Sequence, residues 1–203
     1  RIGFANIPDV RTSQPNIIQS NGANGINVAR SSSVQVGYST ITNNAGRGIT
    51  LGDGSSAEIG GVSNTEPSGN IIQGNGSDGI RVNGSSMAQM AGNTISNNRG
   101  HGVVVSSTSS ASIFSDIGTT PSTTTPNTIQ QNGLVTARRD GIQVTSSSSA
   151  FISGSTINSN TGHGVRVIRA SHASVGGNAI NNSGLDGIRL EENSGLNLDQ
   201  ANT

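Results

Sequence analysis

One short motif returns seven times along the chain: a glycine, an aliphatic residue, any residue and a second aliphatic residue. It reads Gly25-Ile26-Asn27-Val28 first, and its glycine recurs at Gly48, Gly79, Gly102, Gly141, Gly164 and Gly187. Successive glycines are 23, 31, 23, 39, 23 and 23 residues apart. A constant period, lengthened only in particular copies, is the mark of a solenoid in which each copy is one turn that touches only its neighbours.

Composition agrees once disorder is set aside. Hydrophobic residues make up 30% of the 203-residue chain and aromatic residues 2%, values also met in disordered sequences. Disorder of that kind is usually accompanied by a high net charge, whereas here the formal net charge is zero. The 29 glycines and the abundant Asn, Ser and Thr suit short strands joined by tight turns. There is no Cys for a disulfide or a thiolate metal site, and every basic side chain except the histidines is Arg. Balanced charge excludes a dedicated nucleic-acid or anionic-membrane binder. No apolar run is long enough to insert in a membrane, and no signal peptide is seen at the start. Arg1 is not a natural start, so a signal or further domains are expected to have been removed ahead of it.

Each copy resolves into three short strands. The glycine is followed by the pairs Ile26/Val28, Ile49/Leu51, Ile80/Val82, Val103/Val105, Ile142/Val144, Val165/Val167 and Ile188/Leu190, whose alternation predicts a strand with one buried face. Seven residues after the glycine stands Ser32, Ser55, Ser86, Ser109, Ser148, Ser171 or Ser194, a hydroxyl suited to unpaired backbone groups at a corner. A second apolar pair follows, from Val34/Val36 to Leu196/Leu198. A third strand carries Ile18, Ile41, Ile72, Ile95, Ile129, Ile157 or Ile180 inward. Three residues beyond each of these come Asn21, Asn44, Asn75, Asn98, Asn132, Asn160 and finally Ser183, spaced to form an amide ladder. The fold class is therefore all-β: one domain over residues 1–203, a single parallel coil of about 23 residues per rung and roughly eight rungs.

The repeat, N-x-I-x-x-N-x-x-x-G-I-x-V-x-x-S-S-x-A-x-I-x-G, resembles the right-handed parallel β-helix repeats of the pectin-lyase-like superfamily over essentially the whole chain. The resemblance implies right-handedness and an extracellular or cell-surface setting, to which the lack of Cys adds weakly. It does not imply one activity, since lyases, hydrolases, epimerases, adhesins and phage tail proteins share the fold.

Insertions fall near residues 3–16, 60–70 and 114–127, all at the corner between the second and third strands, and near 133–140 at the next corner. The first three hold all five prolines and recur on alternate rungs, which predicts a ridge of surface loops. Ile2 and Leu198 occupy the same place in the repeat, so the chain begins and ends within the coil. The expectation is a fragment of a longer helix, or ends covered by partners, this chain included.

Candidate chemistry centres on the residue before each repeat glycine: Asn24, Arg47, Asp78, His101, Asp140, His163 and Asp186. Rungs about 4.8 Å apart would stack these, and from Arg47 onward basic and acidic types alternate, avoiding like-charge contacts. On this reading His101 and His163 have raised pKa values. The resemblance adds a lyase reading, with Arg166 or Arg189 as base beside Asp140, His163 and Asp186, and calcium as the only cofactor it would call for. Asp140, His163 and Asp186 are also the candidates for a metal site. Against an enzyme, the triplets Gly100-His101-Gly102 and Gly162-His163-Gly164 resemble one polygalacturonase element, but the accompanying Asn-Thr-Asp, Asp-Asp and Arg-Ile-Lys elements are missing. The Asp-Pro-His motif of mannuronan epimerases is also absent.

The leading expectation is a non-catalytic extracellular scaffold, adhesin-like or polysaccharide-associated, that stacks end to end. The alternative is a lyase, epimerase or hydrolase acting on an acidic glycan. A remote third is ice binding by Thr40/Thr42, Thr94/Ser96, Thr128/Gln130 and Thr156/Asn158 on the outer face of the third strands, rows broken by Ile17/Gln19, Ile71/Gln73 and Ala179/Asn181.

Overall fold

The computed structural model describes residues 15–61, 69–115, 125–134 and 137–203. Their regular structure is 21 β-strands. The strands form three parallel sheets of seven, each strand pairing with its counterpart one turn along the chain. The first sheet holds Ile26–Val28, Ile49–Leu51, Ile80–Val82, Val103–Val105, Ile142–Val144, Val165–Val167 and Ile188–Leu190. The second runs from Ser33–Val36 through Ser56–Gly60, Met87–Ala91, Ser110–Ile113, Ser149–Ser153 and His172–Gly176 to Gly195–Leu198. The third runs from Asn16–Gln19 to Ala179–Asn181. Seven rungs are thus described, against roughly eight expected; the further strand placed at Ile2 lies outside the described residues, as do most of the loops near 3–16, 60–70 and 114–127 with their predicted ridge.

Register converts the repeat into columns. Ile49, Ile80, Val103, Ile142 and Val165 are fully buried in the first sheet, and Ile59, Met90, Ile113 and Ile152 in the second. Alanines at 57, 88, 111, 150 and 173 form a small-residue column beside them. Each large aliphatic side chain removed from water contributes about 1.5–3 kcal/mol before the cost of ordering the chain. The core fades at the last rung, where Leu190 is 43% and Leu198 58% exposed.

The repeat glycine is required by space. A Cβ on Gly102 would lie 2.5 Å from Ile129 Cγ2 and 2.6 Å from the Gly141 carbonyl oxygen. Gly48, Gly79, Gly141 and Gly164 meet the next rung in the same way, whereas a Cβ on Gly187 would meet only Ile180 Cγ2, at 3.7 Å. The third-strand isoleucine of each following rung therefore sits where a side chain at the glycine would have to go.

Polar ladders hold the corners. Each serine from Ser55 to Ser194 accepts, through Oγ, the N–H of the serine one rung earlier at 3.1–3.2 Å. The two residues ahead of these serines adopt left-handed backbone, as at Ser107–Thr108 and Ser146–Ser147, so the chain leaves the sheet plane; Thr108 and Ser147 donate N–H to carbonyls of the next rung, and the N–H of the serine that follows is met by the next hydroxyl. In the asparagine ladder, Oδ1 of Asn98 accepts from both N and Nδ2 of Asn75, and Nδ2 of Asn98 donates to the Ile72 carbonyl. Asn44, Asn75, Asn132 and Asn160 repeat the pattern. At Ser183 the shorter side chain leaves its buried Oγ without a hydrogen bond to the described residues.

The first asparagine of the repeat, present in its consensus but not read there as a ladder, forms a second one. Asn70, Asn93 and Asn127 stack two residues ahead of the third-strand isoleucines, with Asn70 Nδ2 donating to Asn93 Oδ1 and Asn93 Nδ2 to Asn127 Oδ1. Asn178 and Asn202 continue the column, and Ser39 and Ser155 occupy its remaining steps by donating N–H to Asn70 and Asn178. In the first sheet alternation fails at Val104. Val104, at an outward position of the first sheet, is fully buried between Arg81 and Gln143, whose side chains turn back to Asp78 and Asp140.

Candidate functional site

The corner ahead of the first sheet brings the candidate residues together, but with a different logic from charge alternation. Asn24 Oδ1 accepts the Arg47 N–H at 2.9 Å, and Asp78 Oδ1 the His101 N–H at 3.0 Å. His101 Nδ1 accepts the Asp140 N–H at 2.9 Å, Asp140 Oδ1 the His163 N–H at 2.9 Å, and His163 Nδ1 the Asp186 N–H at 3.2 Å. Asn, Asp and neutral His share one property here: each carries a lone pair at the δ1 position, two bonds from Cβ. Apart from Arg47, which has no acceptor, the column from Asn24 to His163 is therefore a ladder of acceptors for the backbone of the next rung.

This corrects the expectation for His101. A ring nitrogen that accepts an N–H carries no proton, so in this network the neutral His101 ring holds its proton on Nε2. His101 has its pKa lowered: burial disfavours the imidazolium more than Asp140 and Asp78 favour it. Asp140 Oδ2 does lie 3.4 Å from His101 Nδ1, but that nitrogen is already engaged by the Asp140 N–H. Asp78 shifts the other way. Burial alone would raise its pKa, yet Arg81 at 3.0 Å, the His101 N–H and Arg47 at 3.1 Å together bring it below the ordinary carboxylate value.

Arg166 and Arg189 sit in register on the outer face of the first sheet, and both are occupied. Arg166 pairs with Glu191 at 2.7 Å; Arg189 pairs with Glu191 at 2.9 Å and Asp186 at 3.4 Å. These contacts raise the pKa of Arg189 through hydrogen bonding to Glu191, and lower that of Glu191 through hydrogen bonds from Arg166 and Arg189. A general base needs its proton removed, which is the opposite of what these contacts favour at Arg189. Among the described residues no three His, Cys, Asp or Glu side chains are grouped to hold a metal ion, Asp140, His163 and Asp186 included. Arg138 and Arg139, on the insertion near 133–140, are exposed.

The other two faces differ. On the third sheet Thr42 and Ser96 are buried while Ile17 and Ile71 are 63% and 44% exposed, so the hydroxyl array needed for ice is not presented evenly. On the second sheet a groove of about 520 Å³ runs across four rungs, lined by Ser33, Gln35, Ser56, Glu58, Gln89 and Ser112 among others. Met87, 63% exposed, projects into it. Phe151, 47% exposed, lies one rung further on, in register with Ser112. Nothing in the spacing of these residues marked them beforehand, because single Ser, Gln and Met residues on an outward face are ordinary surface.

Three parallel sheets, one strand each per turn, and inward ladders define a parallel β-helix. The family model for the right-handed β-helix region matches residues 58–202. The chain belongs to that family, and its coil is right-handed. No curated protein matches the chain.

Proposed function

We propose that this β-helix is a non-catalytic scaffold at or outside the cell surface, adhesin-like or polysaccharide-associated. One observation carries the reading: the cluster with catalytic residue types is consumed by the fold. Asp140 and His163 serve as acceptors for neighbouring backbone, and Arg166 and Arg189 are tied to Glu191. The extracellular placement is carried over from the resemblance. Contact through the solenoid ends, over Leu190 and Leu198, belongs to the same reading, and a sedimentation profile that stays monomeric at high concentration would remove it.

A polyuronate screen with and without calcium, following unsaturated products and new reducing ends, tests the central claim. The expected result is no turnover on any substrate. Product that disappears in an Arg166→Ala or Arg189→Ala variant would make the protein an enzyme and overturn the proposal.

A further inference from the structure

We infer that the groove on the second sheet is a binding site for a neutral, linear glycan lying along the solenoid axis. The inference rests on the polysaccharide-associated reading and gives it a place and a ligand class. Three features of the groove lead to it.

The first is uncommitted polarity. The side chains of Ser33, Ser56, Gln89, Ser110 and Ser112 make no hydrogen bond to other described residues. Hydroxyls that donate and accept, together with an amide that does both, match the alternating donors and acceptors of a polyol. The second is charge. Among the described residues the lining holds one carboxylate, Glu58, which already accepts a hydrogen bond from Gln35, and no cation. A uronate chain would meet Glu58 with like charge and find nothing to neutralise it. The third is spacing and apolar surface. Rungs about 4.8 Å apart repeat the same outward positions along the axis, close to the advance of an extended β-linked sugar chain per residue. Met87 and Phe151 offer apolar surface for the C–H faces of sugar rings, and a pocket that mixes such surface with a few polar groups suits a ligand of this size.

The site differs from the corner and the Arg166/Arg189 face in both position and chemistry. There the polar atoms hold the coil together; in the groove they face outward with no such duty.

The test is an NMR titration of the isotope-labelled chain with soluble oligomers of glucose, xylose and mannose, and with oligogalacturonate as the charged counterpart. Saturable shifts are expected for at least one neutral oligomer, centred on residues 33–35, 56–58, 87–89 and 110–112. Met87→Ala combined with Gln89→Ala should weaken that binding about tenfold without moving the unfolding midpoint, the loss of roughly one good contact. Arg166→Ala should leave it unchanged. The inference is overturned if no neutral oligomer shifts these residues, if the double variant binds as before, or if oligogalacturonate binds as tightly. Failure here is separable from failure of the scaffold reading. Turnover of polyuronate would remove the scaffold and leave the neutral-glycan shifts standing; silent titrations without turnover would remove the groove alone.

Discussion

The corner ahead of the first sheet and the outer face of the second are built from an overlapping set of small polar and charged residues, yet they use them in opposite ways. At the corner Asn24, Asp78, His101, Asp140 and His163 each spend the δ1 atom on the N–H of the next rung. On the second sheet, Ser56, Gln89 and Ser112 have no such task. A residue type with chemical potential is therefore a poor guide to function in a solenoid. What matters is whether its polar atoms are needed to join one turn to the next.

The largest expected effect tests the corner's packing. Gly102→Ala places a methyl 2.5 Å from Ile129 Cγ2 and 2.6 Å from a carbonyl oxygen, and should cost about 3 kcal/mol. Gly187→Ala, whose methyl would meet only Ile180 at 3.7 Å, should be close to neutral. Denaturant midpoints of the two variants settle this. Equal losses would mean that the glycine serves the strand's conformation rather than the approach of the next rung.

Next in size is a test of acceptor against charge. Asp140→Leu leaves the buried His163 N–H without its partner, at a cost of about 1–3 kcal/mol. Asp140→Asn keeps an oxygen at the same place and should lose less than half as much. If the asparagine variant falls as far as the leucine one, charge alternation governs the column after all, and the acceptor ladder is the wrong description.

How much of this was legible in the sequence follows from what repeats. Ser32 to Ser194 and Asn21 to Asn160 recur as single residue types at one register, and their ladders could be anticipated from position alone. The second asparagine position was visible in the repeat, but it did not read as a ladder because Ser39 and Ser155 interrupt Asn70, Asn93, Asn127 and Asn178. The corner column was misread for a deeper reason. Asp and His differ in charge, so alternation looked electrostatic, whereas what they share is the geometry of one lone pair. The groove was not legible at all, since it depends on which outward side chains remain unbonded, and that is a property of the assembled coil.

The smallest bulk effect is also the sharpest, because it is a slope and not an offset. His101 has a lowered folded pKa, so the unfolded chain binds its proton more readily than the native one. Its contribution to stability is fully present above the unfolded value, near 6.5, and is lost as pH falls from there through the folded pKa. Unfolding free energies measured between about pH 7.5 and pH 5 should therefore decline with acidity in the wild-type chain. His101→Asn keeps a δ1 acceptor for the Asp140 N–H and removes the titrating ring, so the decline should be shallower in that variant. His163 and His172 are common to both proteins, which isolates His101 in the difference. A wild-type stability that instead rises on acidification, relative to the variant, would mean that the imidazolium is favoured between its carboxylate neighbours. The corner would then be an ion-pair stack, and the contrast with the uncommitted face of the second sheet would lose its physical basis.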